Sequence, residues 1–343
     1  MFNIDTITRK NIKQMKAYSS ARSEYVGKAE VWLDANENPH ETGLNRYPDP
    51  LQLRLKEEIS KLRKIDANKI FIGNGSDEAI DLLFRAFCEP GSSKAFIFPP
   101  TYGMYEVSAA INNVEVEEIP LTESFELPPS EKIKPKLTTT GLLFICSPNN
   151  PTGNSTDLKR IKDIAACFNG LVVVDEAYID FSENKSAILL LEEIPNLVVL
   201  QTFSKAYGLA GARVGIAYAN PDIIAILNKI KPPYNINTLS INASLEVLSN
   251  NETISAQINE VKEERNRLVI ELLKLKFVER IFPSDANFLL IQFSNSKLVF
   301  NALLKANIVV RNRANQVENC LRITIGTKIE NKQLLKILKD LQV

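Results

Sequence analysis

Lys205 stands in the run Thr202-Phe203-Ser204-Lys205-Ala206-Tyr207-Gly208-Leu209-Ala210-Gly211-Ala212-Arg213-Val214-Gly215, where Ser, Lys and Arg are interleaved with small residues after an apolar stretch. Lysine is the side chain that forms Schiff bases with carbonyl cofactors. Ser204 and Arg213 add a hydroxyl and a guanidinium fork, a donor set suited to a phosphate. Surface lysines far outnumber catalytic ones, so this segment gains meaning only in company. Gly73-Asn74-Gly75-Ser76-Asp77-Glu78 is one companion. It follows a strand pattern and opens a helix, whose first N–H groups favour an anion. Its glycines let a ligand approach the backbone. It is not a dinucleotide fingerprint, because Glu78 stands where the third glycine would be. Asp77 and Glu78 would repel a phosphate and are expected to turn away, toward the helix dipole. Read alone, the segment is first a well-capped strand-to-helix turn.

Two further segments end apolar runs. In Ser147-Pro148-Asn149-Asn150-Pro151-Thr152-Gly153 the residue before proline is held extended, which fixes the Asn150 amide at a strand's C-terminal end. In Val174-Asp175-Glu176-Ala177-Tyr178 a carboxylate sits at the edge of an apolar core and needs a partner. A protonated pyridine nitrogen would serve. So would an ordinary helix-capping role. His40, the single histidine, lies in Asn38-Pro39-His40-Glu41 and reads as a surface loop residue; one His cannot build a multi-His metal site.

These segments need a scaffold. Apolar runs at Ile70–Ile72, Ala95–Phe98, Val114–Ile119, Leu142–Cys146, Leu171–Asp175, Leu197–Gln201 and Val214–Tyr218 predict strands covered on both faces. Helical patterns such as Asp77–Phe87 and Asp157–Phe168 alternate with them, which predicts an α/β domain with a mostly parallel seven-stranded sheet flanked by helices. After Pro232-Pro233 the pattern changes. Helices over Ser240–Leu248, Ile254–Leu275, Lys297–Ala306 and Asn331–Leu341, with strands at Phe288–Phe293, Ile308–Arg311 and Leu321–Ile325, predict a smaller α+β domain. The expected division is an arm at 1–29, packing with the small domain or a partner subunit, a large domain at 30–250 and a small one at 251–343. Pro120 to Lys136 reads as a surface excursion.

The 343 residues exceed one small domain, and 41 basic against 41 acidic side chains argue against a nucleic-acid binder. No apolar run approaches the ~20 residues of a membrane span, and Met1 to Lys10 lacks the apolar core of a signal peptide. Cys88, Cys146, Cys167 and Cys320 form no C-x-x-C pair. A reducing, cytoplasmic setting is expected.

Together the four segments, all at predicted strand ends, resemble the aspartate-aminotransferase superfamily of pyridoxal-phosphate (PLP) enzymes. The resemblance is closest to its histidinol-phosphate aminotransferase branch. It extends through Tyr18-Ser19-Ser20-Ala21-Arg22, Trp32-Leu33-Asp34-Ala35-Asn36-Glu37, Asn45-Arg46-Tyr47-Pro48, Phe87-Cys88-Glu89-Pro90-Gly91, Pro99-Pro100-Thr101-Tyr102-Gly103-Met104-Tyr105 and Cys320-Leu321-Arg322-Ile323-Thr324-Ile325-Gly326. The resemblance implies that Lys205 carries PLP, that Asp175 pairs with its pyridine nitrogen, and that Asn150 and Tyr178 bind its 3-oxygen. It further implies that Tyr102 stacks on the ring and that Gly75, Ser76 and Asp77 amides, with Ser204 and Arg213, hold the phosphate. Tyr47 would reach the phosphate from the second subunit of a homodimer. Arg322 would bind the substrate's anion, with Tyr18, Asn36 and Arg311 as secondary candidates. The implied reaction converts histidinol phosphate and 2-oxoglutarate to imidazole-acetol phosphate and glutamate, with no nucleic acid or membrane partner. A PLP decarboxylase of a phosphorylated amino acid would share every cofactor residue; broad aromatic aminotransfer is a further alternative. A PLP-binding regulator would need a DNA-binding region that the sequence does not display.

Overall fold

The computed structural model describes residues 3–19, 22, 25 and 29–341. Its larger sheet has seven strands: β1 (Ile70–Asn74), β2 (Lys94–Ile97), β3 (Glu115–Glu118), β4 (Gly141–Cys146), β5 (Leu171–Asp175), β6 (Leu197–Thr202) and β7 (Val214–Ala219), in the order β1-β7-β6-β5-β4-β2-β3. Neighbours pair in parallel except β7, which runs antiparallel to both β1 and β6. All seven runs expected from the sequence are strands, with ends moved by a residue or two.

Side-chain alternation along the strands sorts them into two cores. Ile70, Ile72, Leu143, Ile145, Val172, Val174, Val199 and Ile216 face one layer, with Leu55 and Ile59 of α1 (Leu53–Arg63). Phe71, Leu142, Phe144, Leu171, Val173 and Leu200 face the other. That second layer is covered by α2 (Ser76–Phe87), α3 (Met104–Ile111) and, later in the chain, a helix at Pro221–Ile230. Because Val173 faces the α2 and α3 layer, Asp175, two residues on, faces it too, whereas Glu176 faces the opposite side.

Numbering the later helices in order, α4 is Leu158–Ala165, α5 Pro221–Ile230, α6 Thr238–Ser249, α7 Asn251–Leu272, α8 Ser296–Lys305 and α9 Lys328–Asp340. A second, antiparallel sheet has the order β10-β11-β9-β8. Its strands are β8 (Val278–Ile281), β9 (Phe288–Phe293), β10 (Arg311–Asn312) and β11 (Cys320–Thr324). Helix α7 joins the two units. Its Ile254 belongs to the large-sheet core, while its Leu268 and Leu272 belong to the small-sheet core with Ile291 and Phe293 of β9.

Several expectations change. β8 is a strand that the sequence pattern did not announce, because Glu279 and Arg280 break the apolar run. The expected strand at Ile308–Arg311 pairs only over Arg311–Asn312. The Pro120 to Lys136 excursion is partly docked: Ile133 is buried and the Phe125 ring packs 5.0 Å from Phe282. The described start of the arm lies against the large unit, where Ile7 joins the α2 core and the Arg9 amide donates to Ala86 O at 3.0 Å. Ser20 and Ala21 lie outside the described residues. Among those described, no helix is long and apolar enough to cross a membrane.

Candidate active site

Strand register brings the chemical segments to one edge of the sheet. Asn74 pairs with Val214, Thr202 with Gly215, and Cys146 with Asp175, so the ends of β1, β6, β5 and β4 meet the start of β7. One cavity there is lined by Ser76, Asp77, Tyr102, Asn150, Asp175, Tyr178, Ser204, Lys205 and Arg213. Nine of the sequence-derived candidates thus share one space. Cys146, Ala177, Thr202 and Ala210 line it as well.

Its floor depends on two close approaches. Gly75 has φ +77°, and a β-carbon there would lie 2.5 Å from Arg213 Nη2. A β-carbon on Gly215 would lie 2.1 Å from the Ser76 amide nitrogen. Glycine therefore spares a strained φ and a clash with a movable guanidinium at 75, and a clash with backbone at 215. The Gly75 amide donates to Arg213 O at 2.7 Å, which fixes the Arg213 segment beside the N-terminus of α2.

The two acids expected to turn away separate. Glu78 does so, accepting from the Asn74 amide and from Asn235 Nδ2. Asp77 does not: its carboxylate lines the cavity, accepting from Tyr102 OH at 3.2 Å and pairing with Arg213 Nη2 at 3.4 Å. The guanidinium offsets the acid, so Asp77 occupies the cation that an incoming phosphate would use.

Asp175 is 3% exposed. Its Oδ2 accepts from Tyr105 OH at 2.8 Å and its Oδ1 from the Ala177 amide at 3.2 Å. Burial pushes its carboxyl up to about 6, against the lowering effect of those two donors. It has no ion-pair partner among the described residues, although Lys205 acts on it electrostatically. The Lys205 amine lies 5.7 Å from the Tyr178 ring centre. Its pKa is lowered, first by desolvation and then by the nearby Arg322 charge, with Asp175 opposing. Burial likewise raises the Tyr102 and Tyr178 hydroxyls above their ordinary value.

The small sheet closes one side. Arg322 of β11 donates to Asn150 Oδ1, and Asn150 Nδ2 donates to Tyr178 OH at 3.4 Å. The Arg322 guanidinium lies 5.2 Å from the Phe288 ring, which packs edge-on against Tyr178 at 5.1 Å. Arg311 pairs with Arg322 across β10 and β11 but is exposed. Arg313, which sequence reasoning passed over, is half-buried; desolvation first, then Arg322 and Arg311, lowers its pKa. None of the three has an acidic partner among the described residues.

Tyr47, Asn36 and Tyr18 are not brought into this cavity. Tyr47 and Asn36 line another one with Arg46, Tyr234 and Asn237. Tyr47 stacks on Tyr234 at 4.5 Å, and Tyr18 is 70% exposed. Glu37 holds the Tyr47 segment, accepting from the Tyr47 amide at 2.6 Å and from Arg22 and Arg46 at 2.7 Å. His40 is exposed, and the described residues contain no group of acids, cysteines and histidines able to hold a metal.

The model of the family described as aminotransferase class I and II matches residues 19–338. A histidinol-phosphate aminotransferase of Christiangramia forsetii is 53% identical over 99% of this chain and 99% of its own length. The chain belongs to the histidinol-phosphate aminotransferases. The crystal structure of the histidinol-phosphate aminotransferase from Clostridium acetobutylicum is 27% identical, with a TM-score of 0.80 over 87% of this chain and 90% of that one. That from Sinorhizobium meliloti, in complex with pyridoxal-5'-phosphate, shares the fold at 22% identity, with a TM-score of 0.79 over 87% of this chain and 84% of that one. As a histidinol-phosphate aminotransferase family member, the chain is an aminotransferase with pyridoxal phosphate as its cofactor. The residues present fit that group. Among the described residues, an amine stands free of acid pairing, a buried carboxylate lacks a cation, and a glycine-lined helix N-terminus adjoins a guanidinium.

Proposed function

We propose that this chain transfers the amino group of histidinol phosphate to 2-oxoglutarate, giving imidazole-acetol phosphate and glutamate, with Lys205 holding the cofactor. The observation that carries this reading is the placement of Lys205 with Asp175, Asn150 and Tyr178 in one cavity, beside an Arg322 without an acid partner among the described residues. When bound, pyridoxal phosphate supplies an aldehyde that condenses with amines and a ring that draws electrons from the adjoining carbon.

The chain's residues divide the remaining work. Lys205 Nζ attaches the cofactor. As a free amine, its Nζ would carry the proton released at the substrate carbon. Its lowered pKa favours the neutral amine that this requires. Asp175 would face the ring nitrogen and keep it protonated, an electrostatic effect largest in the transition state. Asn150 and Tyr178 orient the ring through its 3-oxygen, and Tyr102 covers one ring face. The Ser76 and Asp77 amides, with Ser204 and Arg213, would hold the cofactor's phosphate; the Gly75 amide, expected to join them, is taken by Arg213 O at 2.7 Å and serves instead to fix that segment beside them.

Arg322 would take the substrate's phosphate or, in the other half-reaction, a carboxylate, with Arg311 beside it across β10 and β11; Tyr18 and Asn36, outside this cavity, would contribute only to the site of a second copy. Tyr47 reaches the cofactor's phosphate in a second copy of the chain, so the working form is a homodimer. Apolar side chains left exposed in its cavity, Leu44 at 54% and Leu239 at 63%, suit burial against that copy. Four free cysteines fit a cytoplasmic setting.

A panel of amino donors tests the substrate. Histidinol phosphate should outperform phenylalanine and threonine phosphate in 2-oxoglutarate-dependent glutamate formation, with no release of carbon dioxide from threonine phosphate. Release of carbon dioxide, or a preference for phenylalanine, would overturn the assignment.

A further inference from the structure

Asp175 is reached by a side chain that none of the sequence motifs marked as chemical. Tyr105 lies on α3, is fully buried, and stacks on Phe144 of β4 at 4.5 Å with planes 14° apart. Phe84 of α2 packs behind Phe144 at 5.6 Å. This aromatic stack fixes the ring and places the hydroxyl 2.8 Å from Asp175 Oδ2, with the Cys146 thiol as its other polar neighbour. A phenol carries one proton to donate, and here it is given to the carboxylate.

We propose that Tyr105 is a positioning residue for Asp175: its hydroxyl orients the carboxylate and keeps it ionised, so that the cofactor's ring nitrogen carries the proton. This rests on the reading above that Asp175 faces that nitrogen. Two groups that share a buried proton compete for it, and each hydrogen bond donated to a carboxylate favours its charged form. Ala177 alone would leave Oδ1 served and Oδ2 without an intraprotein donor among the described residues. Burial works the other way, pushing the carboxyl up, and the neighbouring Asp77 charge adds to that push while Lys205 opposes it. Cys146, buried beside the pair with its thiol pushed up to about 12, stays neutral and adds no second negative charge. Tyr105 is therefore the group best placed to oppose desolvation of Asp175.

The test uses the full-length holoenzyme loaded with cofactor labelled by 15N in the ring. The parent should give the 15N shift of a protonated pyridine. Tyr105→Phe keeps the stacked ring and removes only the hydroxyl. It should move the shift toward the unprotonated value and lower kcat by about ten-fold to a hundred-fold, the scale of a hydrogen bond to a charged group. KM for 2-oxoglutarate should change less than about two-fold, since the substrate's anion is held elsewhere. Difluorotyrosine at position 105, a stronger donor that keeps the stacked ring, should move the shift further toward the protonated value at neutral pH.

Asp175→Asn separates the two ideas. If it leaves the shift unchanged, Asp175 does not face the nitrogen and the underlying reading falls. If it abolishes the pyridinium signal while Tyr105→Phe and the fluorinated enzyme both match the parent, the Tyr105 proposal alone is overturned. Should Tyr105→Phe fail to fold, the fluorinated enzyme decides by itself.

Discussion

At Lys205 the fold disfavours the amine's charged form. Desolvation, Arg322 and Arg213 all disfavour the ammonium, so its folded pKa lies below the unfolded one. The folded chain then binds fewer protons than the unfolded chain, and stability rises with pH. The penalty is full below the folded pKa and vanishes above the unfolded value of about 10.4. Lys205→Met should therefore raise Tm of the cofactor-free protein at pH 7, and calorimetry should show the gain disappearing by about pH 11. Arg322→Ala should lower kcat/KM in both half-reactions by about two to three orders of magnitude, because each substrate loses a bidentate contact. Stopped-flow traces with each substrate check it; a loss confined to one half-reaction would contradict the shared role. Lys205, Asp175, Asn150 and Arg213 could be picked out as candidates because Asp175 closes an unmistakably apolar strand, Asn150 and Lys205 follow two others within four residues, and Arg213 immediately precedes a fourth. Tyr105 was not, since its partner Asp175 lies 70 positions away and only the packing of α3 on β4 joins them. The i, i+3 spacing of Tyr102 and Tyr105 was the available hint.

Among the elements, the turn from β1 into α2 carries the strictest steric demand. Alanine at Gly75 would crowd Arg213 Nη2 at 2.5 Å and adopt φ +77°. Because a guanidinium can move, Gly75→Ala should fold yet weaken cofactor binding by about ten-fold or more, read by equilibrium titration with PLP. Alanine at Gly215 meets backbone instead, the Ser76 nitrogen at 2.1 Å. Gly215→Ala should cost about 2–4 kcal/mol in denaturant unfolding, because β7 and α2 must separate. The large sheet could be read from sequence because its strands are apolar on both faces. The small sheet was harder. β8 is half polar, and β10 pairs through Arg311 and Asn312 while the apolar Ile308–Val310 stretch stays outside the ladder. Pairing there follows from tertiary position, which local pattern does not encode.

For the whole molecule, the central question is what completes the site around Tyr47. Its ring stacks on Tyr234 in a cavity separate from that of Lys205, so a role at the cofactor requires a second copy. Tyr47→Phe and Lys205→Ala subunits, each poorly active alone, should regain activity on mixing. The heterodimer then has one site with both lesions and one with neither. No recovery after verified subunit exchange would confine Tyr47 to its own chain. The sequence suggested this arrangement only through resemblance, since no pattern within one chain announces a site shared by two.

The most direct test of the account is a single turnover without 2-oxoglutarate. Purified enzyme carrying cofactor on Lys205, mixed with histidinol phosphate in a stopped-flow spectrophotometer, should lose the absorbance of the lysine-bound form. One equivalent of the pyridoxamine form per site should appear, far faster than with dephosphorylated histidinol. An unchanged spectrum with histidinol phosphate, alongside conversion by another amine, would contradict the account.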